Sequence, residues 1–277
     1  VVRVLFLAVL VGVAFPGVAW ELTVAFTNDL HASLESLAAL EPFLRSADLV
    51  LDAGDTWEDL YRFTDVLAAE ETLGWMKKIG YDGKVLGNHD AYLGPSLPGL
   101  ISRADFPVVV TNMHGMPGVV PWALVERGEL RILILGFLGP EPGVFFPYPL
   151  WPKVTLLDPA TAARKALEAA PEHDLLIVLA HMELADAAVL ARAVPECDLL
   201  VLGHDHLFLE EPVWAGKVPI VQAGHRAQAV GLATLGPGGL VDYELIHTGE
   251  TSKASPISLL PVVLLGFLFF FLSSARE

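Results

Sequence analysis

The chain carries one cysteine, Cys197, among its 277 residues. A single thiol excludes an internal disulfide framework, so the fold must rest on its apolar core. Cys197 opens a strand-like apolar run and reads as a buried thiol rather than a nucleophile. Cations are also scarce: 17 Lys and Arg stand against 33 Asp and Glu, for a formal net charge of −16. That balance excludes a duplex nucleic-acid partner, whose binding rests on basic side chains neutralising phosphates. A small phosphate substrate stays compatible, because bound metal ions can dominate the local field. No internal repeat is visible, and no segment points to a protein partner.

What the sequence does have begins with two apolar ends. Residues 1–19 read as a secretory signal: Arg3 gives a positive start, Val4 to Phe15 is an apolar run, and Gly17-Val18-Ala19 supplies small residues for cleavage. Residues 257–275 read as a transmembrane or sorting tail after a linker at 249–256. The uncharged stretch Ile257 to Leu272 sits near the lower limit for a spanning helix, roughly 17 residues. Arg276 behind it favours a cytoplasmic C-terminus. The expectation is an exported, extracytoplasmic catalytic domain at 20–248, tethered to the membrane by its C-terminal segment.

Within 20–248, apolar strand-like runs alternate with helical stretches. Strands are expected at 22–27, 49–53, 84–87, 107–111, 131–136, 175–180, 199–203, 219–223, 227–235 and 241–247. Several are continuous Val/Ile/Leu runs, as in sheets covered on both faces. Helices are expected near 33–46, 64–79, 159–170 and 183–194; Pro159 and Thr161 suit the start of the third. Alternation early and consecutive strands late imply an α/β sandwich of sheets flanked by helices. A loop at 140–152, rich in Pro and aromatics, is a candidate cover for a site or a surface loop packing its own rings.

The chemistry-bearing residues follow strand ends, where ligand crevices of α/β sheets lie. Thr27-Asn28-Asp29-Leu30-His31 comes first; residues two apart in extended chain point the same way, so Asp29 and His31 can grip one ion. Asp52-Ala53-Gly54-Asp55 follows, with Gly54 permitting a tight turn and Asp55 offering two oxygens that can bridge ions. Gly87-Asn88-His89-Asp90 offers an amide oxygen at Asn88, a candidate acid at His89 and a candidate orienting partner at Asp90. His181 ends the most apolar strand, and Gly203-His204-Asp205-His206 places two imidazoles on one face. Each motif alone is commonplace. Together they set Asp, Asn and His at five strand ends, where burial without a cation or partners would be costly. The N and O donors, with no thiolate, suit Mn, Fe, Zn or Mg rather than a structural zinc site.

These motifs resemble the calcineurin-like metallophosphoesterase superfamily over Asp29 to His206. The phrase Thr27 to His31, and Val221-Gln222-Ala223-Gly224 with Val230-Gly231 beyond, resemble its 5'-nucleotidase branch. The resemblance implies a four-layer sandwich of two mixed β-sheets flanked by helices. It implies two divalent metal ions, the first held by Asp29, His31, Asp55 and His206, the second by Asp55, Asn88, His181 and His204. His89 would stabilise the transferring phosphoryl group or protonate the leaving oxygen. The implied activity is hydrolysis of small phosphate monoesters, 5'-nucleotidase-like, by a metal-bridging hydroxide.

The sequence departs from the branch in several places. Ala32 replaces a Gly, the stretch Thr56-Trp57-Glu58-Asp59 lacks one, Tyr92 stands where an acidic partner of the catalytic His is common, and His206 is often Gln. Asp90 or Glu58 is left to orient His89. The expectation is that the apolar tail leaves no room for the second, base-stacking domain usual in that branch, so that the nucleoside end of a substrate is read by loops such as 140–152 or not read at all. The alternatives are a phosphodiesterase, cyclic-nucleotide or thiosulfohydrolase-type enzyme with the same centre, and a metal-binding scaffold without turnover.

Overall fold

The computed structural model describes residues 20–59, 61–62, 64–139 and 151–248. The expected signal segment, the linker, the apolar tail and most of the loop at 140–152 lie outside the described residues. Among the described residues no helix is long and apolar enough to cross a membrane.

Two mixed sheets form the centre. The first is assembled from β1 (Leu22–Thr27), β2 (Leu49–Asp52), β3 (Gly83–Lys84), β12 (Ala229–Gly236) and β13 (Gly239–His247), in the order β13-β12-β1-β2-β3. Strands β1, β2 and β3 run parallel, whereas β12 pairs antiparallel with both β1 and β13. The second sheet has the order β10-β11-β9-β8-β6-β5. Its parallel centre is β6 (Leu130–Leu138), β8 (Leu175–Met182), β9 (Leu199–His204) and β11 (Val218–Val221). The edges β5 (Ala123–Arg127) and β10 (Val213–Ala215) are antiparallel, and β4 (Met113–His114) pairs with β7 (Thr155–Leu156) in a separate two-stranded sheet.

Alternation along the second sheet sorts its side chains into two cores. Ile132, Ile134, Ile177, Leu179, Leu199 and Val201 join Val24, Phe26 and Leu51 of the first sheet in one apolar cluster. Leu133, Leu135, Leu176, Val178 and Leu200 point the other way, against α4 (Pro159–Ala169) and α5 (Leu184–Ala193). Helices α1 (Leu34–Leu44) and α2 (Val66–Ile79) pack outside the first sheet through Leu37, Leu40, Ala69 and Leu73. This is the four-layer sandwich the resemblance implied. At 25 cal/mol per Å2, burying each such Leu or Ile contributes on the order of 2 kcal/mol, the main term opposing chain entropy.

The helices begin where the sequence signals them. Asp65 accepts the Ala68 N–H at 3.1 Å to cap α2, which stops at Gly80 in left-handed conformation, φ 92°. Asp158 accepts the Thr161 N–H at 2.7 Å, with Pro159 at the first position of α4. Two strands shrink against expectation. The run at 84–87 pairs only through Gly83–Lys84, and 107–111 makes isolated bridges from Val108 to Lys84 and from Val109 to Val120. Their backbones turn inward to the site and to the second sheet instead of continuing a ladder. The structure adds α3 (Leu97–Arg103) and the 3-10 stretch Asp90–Ser96 before it, where Gly94, Pro95 and Pro98 break the helical period in the sequence.

Candidate metal centre

The parallel strands deliver the expected residues to one place. Asn28 to Ala32 follow β1, Ala53 to Glu58 follow β2, and Gly87 to Asp90 follow the short β3. His181 is the penultimate residue of β8, His204 closes β9, and the register sets Met182 beside His204. The loops are stitched by main-chain bonds: Asp29 N–H to Gly54 O at 2.9 Å, His31 N–H to Asp55 O at 3.0 Å, and Ala32 N–H to Thr56 O at 3.0 Å. Such bonds hold a costly backbone. Asp29, His31, Ala32, Asp55, His204 and His206 all have positive φ, between 44° and 95°. Non-glycine residues reach that region at a cost of order 1–3 kcal/mol each, and surrounding structure must impose it. Gly87 meets a different demand: a Cβ there would overlap the Asp55 carboxylate, so only glycine lets that group reach the His89 backbone N–H.

Two clusters of donors result. In one, His31 Nε2 lies 3.2 Å from His206 Nε2, and His206 Nε2 lies 3.5 Å from Asp29 Oδ1. In the other, Asn88 Oδ1 is 3.1 Å from both His181 Nε2 and His204 Nδ1. Asp55 joins them: its Oδ2 is 3.1 Å from His181 Nε2, and with His31 and Glu58 it forms a further group of converging donor atoms. Every residue expected as a ligand from sequence is therefore at this one centre.

The donor chemistry fits divalent cations. His181 Nδ1 lies 2.8 Å from Ala53 O and donates to it, which turns Nε2 toward Asn88 and Asp55 as a lone pair. His31 Nδ1 is engaged by Glu58, so its Nε2 faces His206 in the same way. Acceptors that face acceptors in a buried cluster need a cation or a proton between them. The charge balance reads alike. Burial alone would lower His181, but the Asp55 carboxylate, with Asp29 behind it, raises its imidazole to about 9. Burial works against ionised Asp55, yet His181, His31 and His89 hold its carboxyl well below the usual range. Burial lowers His31 to about 4 and also lowers His204, whereas a bond to Asp29 raises His206.

His89 sits beside the clusters, its N–H donating to Asp55 Oδ1 at 2.8 Å and its ring edge-on to His31, centroids 5.4 Å apart. The Asp90 carboxylate is taken up by other donors. Lys84 Nζ (2.9 Å) and Gly87 N–H (3.0 Å) reach one oxygen; the N–H groups of Trp57 (2.9 Å) and Thr56 (3.2 Å) reach the other. Glu58 Oε1, by contrast, is 3.9 Å from His89 Nδ1.

Three contributors were not singled out from sequence. Asn28 donates to Asp29 Oδ2 at 2.7 Å and to Gly224 O at 2.6 Å, and accepts the Ala223 N–H at 2.8 Å. It thereby ties the first ligand loop to the Gln222-Ala223-Gly224 phrase. His225, the next residue, stacks on His206 with centroids 4.6 Å apart. Arg226 donates its N–H to Asp29 O at 2.7 Å. Asn28 lies within the phrase Thr27 to His31, and His225 and Arg226 directly follow Val221 to Gly224, so the two phrases carried the signal.

A sandwich of two mixed sheets with paired N/O donor clusters at the strand ends defines a metallophosphoesterase type of protein. Comparison with known proteins agrees, and the chain belongs to the calcineurin-like phosphoesterase family, whose model matches residues 22–208. Among curated proteins it is 26% identical to an uncharacterized metallophosphoesterase, YunD, of Bacillus subtilis, over 76% of this chain and 49% of that one. It is 26% identical to the 5'-nucleotidase of Bos taurus, over 87% of this chain and 50% of that one. Among solved structures, a 5'-nucleotidase precursor from Thermus thermophilus superposes with a TM-score of 0.67 at 25% identity, over 82% of this chain and 54% of that one. The calcineurin-like phosphoesterase YfkN of Bacillus subtilis gives 0.68 at 20% identity, over 82% and 90%. The chain spans about half the length of the curated relatives it matches.

Proposed function

We propose that residues 20–248 form a dimetal phosphoesterase that releases phosphate from small monoesters, with 5'-nucleotidase-like specificity. The observation that carries this reading is Asp55, whose carboxylate lies between an Asp29/His31/His206 cluster and an Asn88/His181/His204 cluster. Divalent ions bound there would supply Lewis-acid stabilisation of the phosphoryl group and a hydroxide at neutral pH. The chain's own contribution is orientation. Ala53 O fixes the His181 tautomer, the His204 N–H fixes the Asp29 carboxylate at 2.9 Å, and Asn28 holds the loop that carries it. His89, partly exposed beside the clusters, delivers a proton from its imidazole to the leaving oxygen. Asp90, clamped by Lys84, fixes the turn between β3 and the 3-10 stretch that carries His89.

The remainder of the substrate has a place beside the first cluster. A cavity of about 290 Å3 is lined by His31, Ser33, Tyr61, Arg62 and Arg226 among others. Arg62 is paired with Asp59 and Asp65, both at 2.9 Å. Arg226 instead donates to the Tyr61 hydroxyl at 3.2 Å and lies over its ring, and no described carboxylate pairs with it. Its guanidinium is available to an anionic or polar group of the ester.

The test is metal analysis of the purified chain combined with phosphate release across nucleoside monophosphates, other monoesters, diesters, cyclic nucleotides and thiosulfate esters. About two ions per chain and metal-dependent hydrolysis of nucleoside monophosphates are expected. Preference for a diester or a sulfur ester would replace the substrate, and activity that survives metal stripping would overturn the mechanism.

A further inference from the structure

The cavity beside His31 is lined by side chains with donors to spare. Arg226 is half-buried there, and one N–H of its guanidinium reaches the Tyr61 hydroxyl at 3.2 Å. That hydroxyl, having accepted one bond, still has its own O–H to donate. The Ser33 hydroxyl is buried without a partner among the described residues; Ser33 precedes α1 but makes no side-chain cap bond. The acceptors of the same wall are largely taken. Asp59 receives the main-chain N–H groups of Tyr61 and Arg62, at 2.9 and 3.0 Å, and the Arg62 guanidinium at 2.9 Å. Arg62 is in turn closed off by Asp59 and Asp65. Glu35, the other carboxylate of the lining, is solvent-exposed, where water and salt screen it. The start of α1 contributes little, since Leu34 N–H bonds Ala32 O at 2.8 Å and Ser36 N–H bonds Ser33 O at 3.0 Å. What remains is a set of side-chain donors without matching acceptors. The backbone that presents the guanidinium is also unusual. Arg226 and Ala227 both lie in the left-handed region, φ 53° and 57°, a costly conformation for adjacent non-glycine residues. Their turn is tied to the first ligand loop by the Arg226 N–H bond to Asp29 O at 2.7 Å.

We infer that this cavity is an oxyanion subsite, and that the preferred substrate is a phosphate monoester whose leaving group carries a second anionic group, a carboxylate or another phosphate. The inference rests on the dimetal reading, in which the reacting phosphate sits at the adjacent donor cluster. An oxyanion only accepts, so it complements a wall that only donates. The Arg226 fork meets two of its oxygens at once, and the Tyr61 and Ser33 hydroxyls are there for the remaining lone pairs. Bonds to a charged acceptor are roughly twice as strong as bonds to a neutral one, so charge on the leaving group, more than its shape, decides affinity. At about 290 Å3 the cavity suits a compact anionic group.

Matched pairs of esters test the subsite. Phosphoglycerate differs from glycerol phosphate by a carboxylate, and a nucleoside bisphosphate differs from the monophosphate by a second phosphate. The metal-loaded parent is expected to favour the charged member of at least one pair about tenfold in kcat/KM, through KM. The pair that shows the preference identifies the anion. Arg226→Met keeps an apolar stem and loses the fork, and should bring that ratio to about one. Ser33→Ala should lower the ratio severalfold yet melt with the parent, because no cap bond is lost. A second readout needs no turnover. Inorganic phosphate should raise the melting temperature of the metal-stripped parent more than chloride does at equal ionic strength, and this increment should vanish in Arg226→Met. No preference within either pair would overturn the inference. So would an Arg226→Met loss equal on both members, which would set the guanidinium on the reacting phosphate, or a phosphate increment undiminished in Arg226→Met. If the parent hydrolyses no ester, the proposed function fails, and the phosphate increment still decides whether the cavity takes an oxyanion.

Discussion

One oxygen of Asp55 lies 3.1 Å from His181 Nε2, and its other oxygen accepts the His89 N–H at 2.8 Å. The carboxylate therefore touches the second donor cluster and the turn that carries the candidate acid. Removing it should dismantle more than removing any one imidazole. Asp55→Ala is expected to bind no more than traces of metal and to lose activity, whereas His181→Ala should drop from two ions per chain to about one. For each site a ligand at 100 times its Kd adds about 2.7 kcal/mol of stability. A chelator should accordingly lower the melting temperature of the parent and leave Asp55→Ala unmoved. Elemental analysis with thermal denaturation reads both effects, and two retained ions in Asp55→Ala would refute the bridging role.

The Asn28 side chain makes a prediction about stability rather than chemistry. Its amide joins Asp29, in the loop after β1, to Ala223 and Gly224, in the connection from β11 of the second sheet to β12 of the first. Asn28→Ala strands the Ala223 N–H and the Gly224 carbonyl in a buried place. Each such loss costs about 1–3 kcal/mol, so a decrease of about 3 kcal/mol in denaturant unfolding is expected. Metal affinity should fall too, because Asp29 loses the donor to its Oδ2. A variant as stable as the parent would mean the loop is held by its main-chain bonds alone.

How much of this could be read beforehand follows from what covalent spacing can encode. Asp29 with His31, Asn88 with His89, and His204 with His206 are near neighbours in sequence, and each sits just past an apolar run that could only be a strand. The strand ends of an α/β sandwich meet, so the convergence of these residues on one place was legible without coordinates. The side chains that tune them were not. Glu58 belongs to a turn whose direction depends on Gly54 and on the Asp90 clamp, and nothing in the local pattern tells which of the two acids faces His89. Lys84 read as an ordinary strand residue, although it is buried against Asp90 at 2.9 Å. The strand expected at 107–111 dissolved into single bridges because its apolar character serves the core and its backbone serves two different neighbours.

The cavity beside His31 yields a kinetic prediction. Arg226 is kept in place by its N–H bond to Asp29 O and by Tyr61, and has no described carboxylate to neutralise it. If the ester's remaining polar group lies there, Arg226→Ala should raise KM for a nucleoside monophosphate about tenfold with kcat within a few-fold of the parent, a loss of about 1.4 kcal/mol in binding. Arg226→Lys should recover part of it, since an ammonium cannot reproduce the planar fork. Metal content must remain that of the parent. A kcat effect without a KM effect would place the guanidinium at the reacting phosphoryl group instead.

Asp52 supplies the pH dependence. It closes β2 fully buried, and burial raises its carboxyl to about 6 despite Lys84, Thr56 and Thr27 around it. The folded value thus exceeds the ordinary 3.8, so the folded chain takes up this proton more readily than the unfolded one. For this group, ionisation opposes folding: its contribution is most favourable below pH 4, declines as pH rises toward 6, and is lost above that. Asp52→Asn removes the titration without changing shape. Its Oδ1 can accept from Gly54 N–H and Thr56, and its amide can donate to Thr27, whose hydroxyl then turns to Tyr81, 2.9 Å away. The difference in melting temperature between Asp52→Asn and the parent should therefore shift in favour of the variant between pH 4 and pH 7, measured without metal so that the nearby cluster does not contribute. A difference that stays constant over that range, or grows toward acid, would show that Lys84 and the hydroxyls outweigh burial at this carboxylate.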